Sequence, residues 1–174
     1  MNKTNTRRLV ECAIFATVCF VITRLLAIPA FYTKGYVNLG DVAVLMTSYM
    51  IGGGYGAVAA GLGSAMADFS MSFYHYVPAT FVIKALMVLI SVFFFKHSER
   101  SESRFISVLL IAAGVILAET FMVLGYFAFE LFLYKKGAFA SLAGNCMQAI
   151  VCAVISVVII IILKRSNFVK MIKK

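Results

Sequence analysis

The sequence predicts an all-α integral membrane protein, a compact bundle of six transmembrane helices with both termini on the cytoplasmic side. Three observations lead there. Of its 174 residues, 63% are hydrophobic and only 13% charged, against roughly half and a quarter in an ordinary soluble domain. The apolar residues gather into six runs, at 8–28, 41–52, 54–70, 78–96, 104–133 and 138–164. The net charge of +9 sits at the ends of those runs and on no single face. It therefore reads as the positive-inside bias of cytoplasmic segments, and nucleic acid is not an expected partner.

Taken in order, the first run follows Lys3, Arg7 and Arg8. It has the outline of a signal peptide, but Arg24 interrupts its end, no A-x-A site follows, and five more runs come after it. A retained helix is expected. The second run is shorter than the roughly 20 residues a crossing needs. It starts behind the polar phrase Gly35-Tyr36-Val37-Asn38-Leu39-Gly40-Asp41, with Asp41 placed as a helix N-cap. It ends on Gly52-Gly53-Gly54, which reads as a tight turn because glycine adopts positive φ at little cost. In the third run, Gly56, Ala60 and Ser64 recur every four residues, as do Ala57, Gly61 and Ala65. Small residues at this spacing let helices approach closely.

Between the fourth and fifth runs lies the loop 96–104, with Lys96, Arg100 and Arg104. The fifth and sixth runs are long enough to cross with tilt, and Lys164, Arg165, Lys170, Lys173 and Lys174 close the chain. These basic groups share one side. The loops 29–41, 70–78 and 133–138 then face outside, where Arg24, Lys34, Lys135 and Lys136 fall. Residues 1–174 form one membrane domain, without linker or internal repeat.

Several function classes are disfavoured. No G-x-x-x-x-G-K-[ST] loop occurs, so any ATP-driven step belongs to a partner. Gly54-Tyr55-Gly56-Ala57-Val58-Ala59 fits a loose dinucleotide pattern without the strand that gives it meaning. Gly63-Ser64-Ala65 would need a histidine base at membrane depth, and His75 and His97 both fall in expected loops. Cys12, Cys19, Cys146 and Cys152 lie inside apolar runs with no C-x-x-C pair, as packing residues do. No enzyme, metal site or cofactor is expected.

Ionisable groups inside apolar runs are costly and face a cavity or a partner. Here they are Asp68, Lys84, Glu119 and Glu130. Asp68 and Lys84 either pair to lock two helices or face a ligand. Glu119 shares a helical face with Met122, Val123, Tyr126 and Glu130, while Ser141, Asn145, Gln148 and Cys152 form a stripe on the sixth run. Counted inward from their outer ends, Gln148 lies about 15 Å deep and Glu119 about 20 Å deep, so these groups can meet in one outward-opening cavity. The plainer alternative is interhelical hydrogen bonding, worth about 1 kcal/mol per contact. Tyr32 and Tyr36 in the first outer loop, with Phe73, Tyr74, His75 and Tyr76 in the second, form either an aromatic belt or a lid. A carboxylate-and-amide floor beneath such a lid suits a small, planar, polar ligand.

Taken together, the Asn-Leu-Gly-Asp phrase, the glycine turn and Ala65-Met66-Ala67-Asp68 resemble the S components of energy-coupling factor (ECF) transporters. So do Pro78 to Lys84 and Gly144-Asn145-Cys146-Met147-Gln148, in the same order along the chain. The resemblance implies a prokaryotic plasma-membrane subunit that binds a vitamin and works with a T component and two ATPase subunits. It implies a gate in the first outer loop, a subunit that topples to release ligand inside, and a docking surface for the T component on the first helix. Cys12, Ala13, Ala16 and Thr17 carry the small-residue spacing of that surface, without being all alanine. The expected ligand contacts are Tyr36, Asn38, Tyr74, His75, Lys84, Glu119, Tyr126, Asn145 and Gln148. Hydroxymethylpyrimidine or a vitamin B6 form is the favoured substrate, with riboflavin as the alternative. A stand-alone proton-coupled carrier using Glu119 or Asp68 is the competing class.

Overall fold

The computed structural model describes residues 3–29 and 36–166. Tyr32, Lys34 and the basic residues beyond position 166 lie outside the described residues. Six α-helices follow one another: α1 (Lys3–Leu25), α2 (Gly40–Met50), α3 (Gly53–Ser70), α4 (Val77–Arg100), α5 (Arg104–Tyr134) and α6 (Ala138–Arg165). A 3₁₀ turn, Lys135–Gly137, joins α5 to α6. Apart from the helices, β1 (Ala27–Pro29) and β2 (Tyr36–Asn38) pair antiparallel, with Ala27 opposite Asn38.

Helix α2 is the centre of the bundle. Its 11 residues span about 16 Å, half of a bilayer's roughly 30 Å hydrocarbon core. It packs against α1, α3, α4 and α6. Val44 and Leu45 are fully buried, and with Met87 and Val88 of α4, Ile111, Val115 and Met122 of α5 and Ile160 of α6 they form the core. The turn out of α2 is made by Gly52 and Gly53, at φ +49° and +58°, a region that costs a side-chain-bearing residue energy. Helix α3 then wedges between α1 and α4, and its glycines allow the contact. A Cβ on Gly61 would stand 2.8 Å from the Phe81 carbonyl, and one on Gly63 would stand 2.8 Å from the Cys19 Cβ.

The outward faces are apolar: Phe93, Phe105, Leu109, Ile116, Leu124, Ile150, Val154 and Val158 are all exposed. A soluble monomer does not carry apolar exposure on this scale. Val77–Arg100 and the helical stretch Arg104–Arg165 are long and apolar enough to cross a membrane.

Three local expectations need correction. Helix α1 ends at Leu25 and not at 28, because the chain leaves it to form β1. Helix α4 continues to Arg100, which shortens the expected 96–104 loop to residues 101–103. The reason is a polar latch: the Lys164 ammonium donates to the Ser98 carbonyl at 2.5 Å, to the Ser98 hydroxyl at 2.9 Å and to the Ser107 hydroxyl, tying α4, α5 and α6 at one end. Finally, Asp41 does not cap α2. Leu39 holds the cap position without a side-chain bond, and the Gly40 amide is satisfied by the Asn38 side-chain oxygen at 2.6 Å.

Candidate ligand site

With the capping role taken by Asn38, the Asp41 carboxylate is free to point into the bundle, where the residue is fully buried. Two long-range partners meet it there. The Lys84 ammonium, two turns into α4, forms a buried ion pair with one carboxylate oxygen. The Gln148 amide, on α6, donates to the other at 2.5 Å. Gln148 uses its own oxygen to accept the Asn38 backbone N–H at 2.9 Å, and the Cys152 thiol donates to the Asn38 carbonyl at 3.6 Å. The end of β2 is therefore fastened to α6 by its backbone and to α2 by its side chain.

Around this knot stand groups from α4 and α5. Lys84 lies over the Tyr126 ring, 5.1 Å from its centroid, close enough for a cation–π attraction. The Tyr126 hydroxyl bonds the Thr80 hydroxyl at 2.9 Å. Glu119 is 2% exposed, and its carboxylate lies within 4.8 Å of both an Asp41 oxygen and the Cys152 sulfur. Neither Glu119 oxygen has a hydrogen-bond partner among the described residues, and the same holds for the Asn145 side-chain NH₂. Buried polar atoms are nearly always paired, so Glu119 and Asn145 stand out, together with the buried hydroxyls of Thr23, Ser64 and Ser156, which likewise have no partner among the described residues.

An aromatic layer lies at the end of the bundle where α4 begins. The Tyr76 hydroxyl donates to Glu130 at 3.0 Å, and the Ser141 hydroxyl donates to the other Glu130 oxygen. Burial and the adjacent Glu130 carboxylate push the Tyr76 phenol well up, which keeps it a donor. Its ring packs on Phe129 at 5.4 Å and reaches Tyr126 at 6.4 Å between centroids. Tyr76 is thus the bridge from the aromatic layer to the buried knot.

The expected contact residues fall into three groups. Asn38, Lys84 and Gln148 are joined through Asp41, with Glu119 beside it and Tyr126 over Lys84. Asn145 lies one turn from Gln148 on α6. Tyr74 and His75 instead belong to the aromatic layer: Tyr74 is 58% exposed and stacks edge-on against Phe69, while His75 bonds the Tyr134 hydroxyl at 3.0 Å. The backbone of Tyr36 is in β2, and its side chain is outside the described residues. The suggested Asp68–Lys84 pair is replaced by Asp41–Lys84.

Sequence reasoning placed Asp41 wrongly and gave Thr80 no role. The signal for Asp41 was present, since a buried lysine requires a carboxylate, but its position at a helix start supplied a local explanation that sufficed. Cys152 belonged to the expected α6 stripe, and its bond to Asn38 carries that stripe into the knot.

The expected docking stripe on α1 divides in two. The Cys12 thiol donates to the Tyr55 carbonyl at 3.4 Å, and Ala16 turns its carbonyl onto Gly63, so this half is covered by α3. Ala13 and Thr17 are exposed, and the Thr17 hydroxyl returns to the Ala13 carbonyl at 2.9 Å.

Three comparisons bear on this arrangement. An uncharacterized protein of the gap 3′ region of Pyrococcus woesei is 32% identical over 131 residues, covering 75% of this chain and 83% of the relative. In three dimensions the chain is similar to the S-component for biotin from an ECF-type ABC transporter, with a TM-score of 0.55 and 17% identity over 91% of this chain and 93% of that one. That likeness shows the fold. The model of the family described as ECF-type riboflavin transporter, S component, matches residues 3–165. The chain belongs to the S components of ECF-type transporters, in the family described as that of riboflavin.

Proposed function

We propose that this chain captures a small heteroaromatic vitamin on the outer side of a prokaryotic plasma membrane and passes it inward only in company with a T component and two ATPase subunits. On this reading all six helices belong to one membrane domain, residues 1–174, with both termini inside. The basic ends of α1, α4 and α6 support that orientation. β2 and the loop 71–76 cover the site, and Ala13 and Thr17 remain as the accessible part of the docking surface.

One observation carries the reading. A membrane bundle built on apolar contacts spends Asp41, Lys84, Glu119 and Gln148 at one buried point beneath an aromatic layer. Such groups are expensive in apolar surroundings and mark ligand pathways. The family description favours riboflavin as the ligand. Hydroxymethylpyrimidine or pyridoxine is the second reading, favoured by the way Asp41, Lys84, Gln148 and Asn38 already fill the site with mutual bonds.

The test is the small molecule that accompanies the protein. Purified protein is denatured, the released compounds are identified by mass spectrometry, and the candidates are re-bound by titration. One of these vitamins released at a molar ratio near one supports the reading. A protein that releases none and shows no thermal shift with any of them would overturn it.

A further inference from the structure

We infer that the cavity where α1 begins, α2 turns into α3 and α4 ends binds an anionic phospholipid of the inner leaflet. Arg7, Arg8 and Lys96 hold its phosphate, and an acyl chain runs along the exposed face of α3. The inference rests on the proposed orientation of the bundle and is independent of which vitamin the chain binds.

The cavity has a volume of about 530 Å³, within the range of small-molecule sites. Lys96 lines it 12 residues beyond Lys84, about 18 Å further along α4, so it is distinct from the buried knot. Three cations, Arg7, Arg8 and Lys96, line it with one carboxylate, Glu11, which leaves a net positive charge of two. Glu11 accepts from the Arg7 Nε–H at 2.9 Å. The Arg8 guanidinium lies 5.8 Å from the centroid of the Tyr55 ring, within cation–π range, and so draws the start of α1 towards the start of α3. All three basic residues are exposed and within reach of an incoming ligand. Charge-assisted bonds from such side chains to phosphate are among the strong ones.

Backbone donors reinforce the charge. Gly53 and Gly54 open α3 and line the same cavity, and no side chain caps that helix. Its first amides have no intrahelical acceptor and suit an oxyanion. A Cβ on Gly54 would meet nothing within 4 Å, so packing does not call for glycine there. The missing side chain keeps those amides accessible.

The rest of the cavity decides between a lipid and a free anion. Phe15, Met50 and Ile51 also line it, an apolar wall that a phosphate ion does not use. Beyond it the apolar surface continues along α3, where Tyr55, Val58, Leu62 and Met66 recur every three or four residues and are all exposed. That stripe spans about 16 Å, the depth of one leaflet of a roughly 30 Å hydrocarbon core. A ligand that matches both parts carries a phosphate beside acyl chains. On the proposed orientation the cavity faces the cytoplasmic leaflet, whose surface is anionic and whose headgroups bind in basic pockets between helices.

The test is native mass spectrometry of the purified full-length protein in detergent, titrated with phosphatidylglycerol or with phosphatidylcholine of the same chains. Phosphatidylglycerol is expected to bind about thirtyfold more tightly, the preference that two net positive charges give near an anionic headgroup. Arg8→Gln combined with Lys96→Gln removes that net charge and should abolish the preference. Lys135→Gln combined with Lys136→Gln, at two exposed cations of the opposite end, should leave it intact. Equal binding of the two lipids by the unaltered chain overturns the inference and leaves the basic rim to an acidic segment of a partner. A preference that survives the Arg8 and Lys96 substitutions overturns it as well, because the lipid then sits elsewhere. Displacement of phosphatidylglycerol by inorganic phosphate overturns it in favour of a free-anion site. Should the double variant fail to fold, Arg8→Gln and Lys96→Gln decide singly, each expected to lose about fivefold of the preference.

Discussion

Replacing Lys84 by methionine tests the knot at its centre. The substitution is close in length and removes only the ammonium, leaving the fully buried Asp41 carboxylate with a single donor, Gln148. It also leaves that carboxylate within 4.8 Å of Glu119 with no cation between them. The substitution forfeits the attraction between Lys84 and Asp41, and two opposite charges about 4 Å apart at an effective dielectric near 20 attract by about 4 kcal/mol. A stranded carboxylate can escape by taking up a proton, and neutralising an ordinary one at pH 7 costs about 4 kcal/mol, which caps the penalty. Both estimates agree with the 3–5 kcal/mol typical of breaking a buried pair from one side. Lys84→Met should therefore destabilise the protein by about 4 kcal/mol, a fall of roughly 10 °C in Tm at this chain length. With Cys12 and the exposed Cys146 replaced by alanine, the buried thiols of Cys19 and Cys152 report unfolding through a thiol-reactive dye in detergent. Adding Asp41→Asn should restore most of the loss, because the pair is then removed and not broken. Unchanged stability in Lys84→Met, or a double variant weaker than the single one, would refute the reasoning.

Other consequences can be checked with the same preparation. Gly63→Ala sets a Cβ against Cys19 and the Ala16 carbonyl and should cost about 1–3 kcal/mol of stability by overpacking. Gly54→Ala, in open space on the same helix, should leave thermal unfolding unchanged or slightly raised. Lys164→Met removes three hydrogen bonds at one end of the bundle, so hydrogen exchange should accelerate across residues 98–107. Tyr76→Phe deletes the bond to Glu130 that fastens the loop 71–76, and stopped-flow dilution should show several-fold faster ligand release with little change in Tm.

The helices were legible because apolar runs in so small a chain have few other outcomes. The short α2 was legible because three glycines closed it. Where boundaries moved, the cause was a partner distant in sequence. β2 drew the chain out of α1, and Lys164 secured the end of α4, 66 residues away. The site divides along the same line. Lys84, Glu119, Tyr126 and Gln148 stood out because polar groups in apolar runs need a reason. Asp41 did not, since its partners lie 43 and 107 residues away and a nearer role was on offer. The four-residue spacing on α1 marked two parallel stripes, but only the close approach of Gly63 decides which of them is covered.

On the proposed function this chain binds ligand by itself but moves it only with ATP-hydrolysing partners. Proteoliposomes holding the chain alone, and others holding it with a T component and two ATPase subunits, should be compared for uptake of radiolabelled vitamin. Stoichiometric binding without accumulation is expected in the first, under any pH gradient, and ATP-dependent accumulation in the second. Accumulation driven by a pH gradient in vesicles holding the chain alone, abolished by Glu119→Gln, would contradict it and establish a proton-coupled carrier instead.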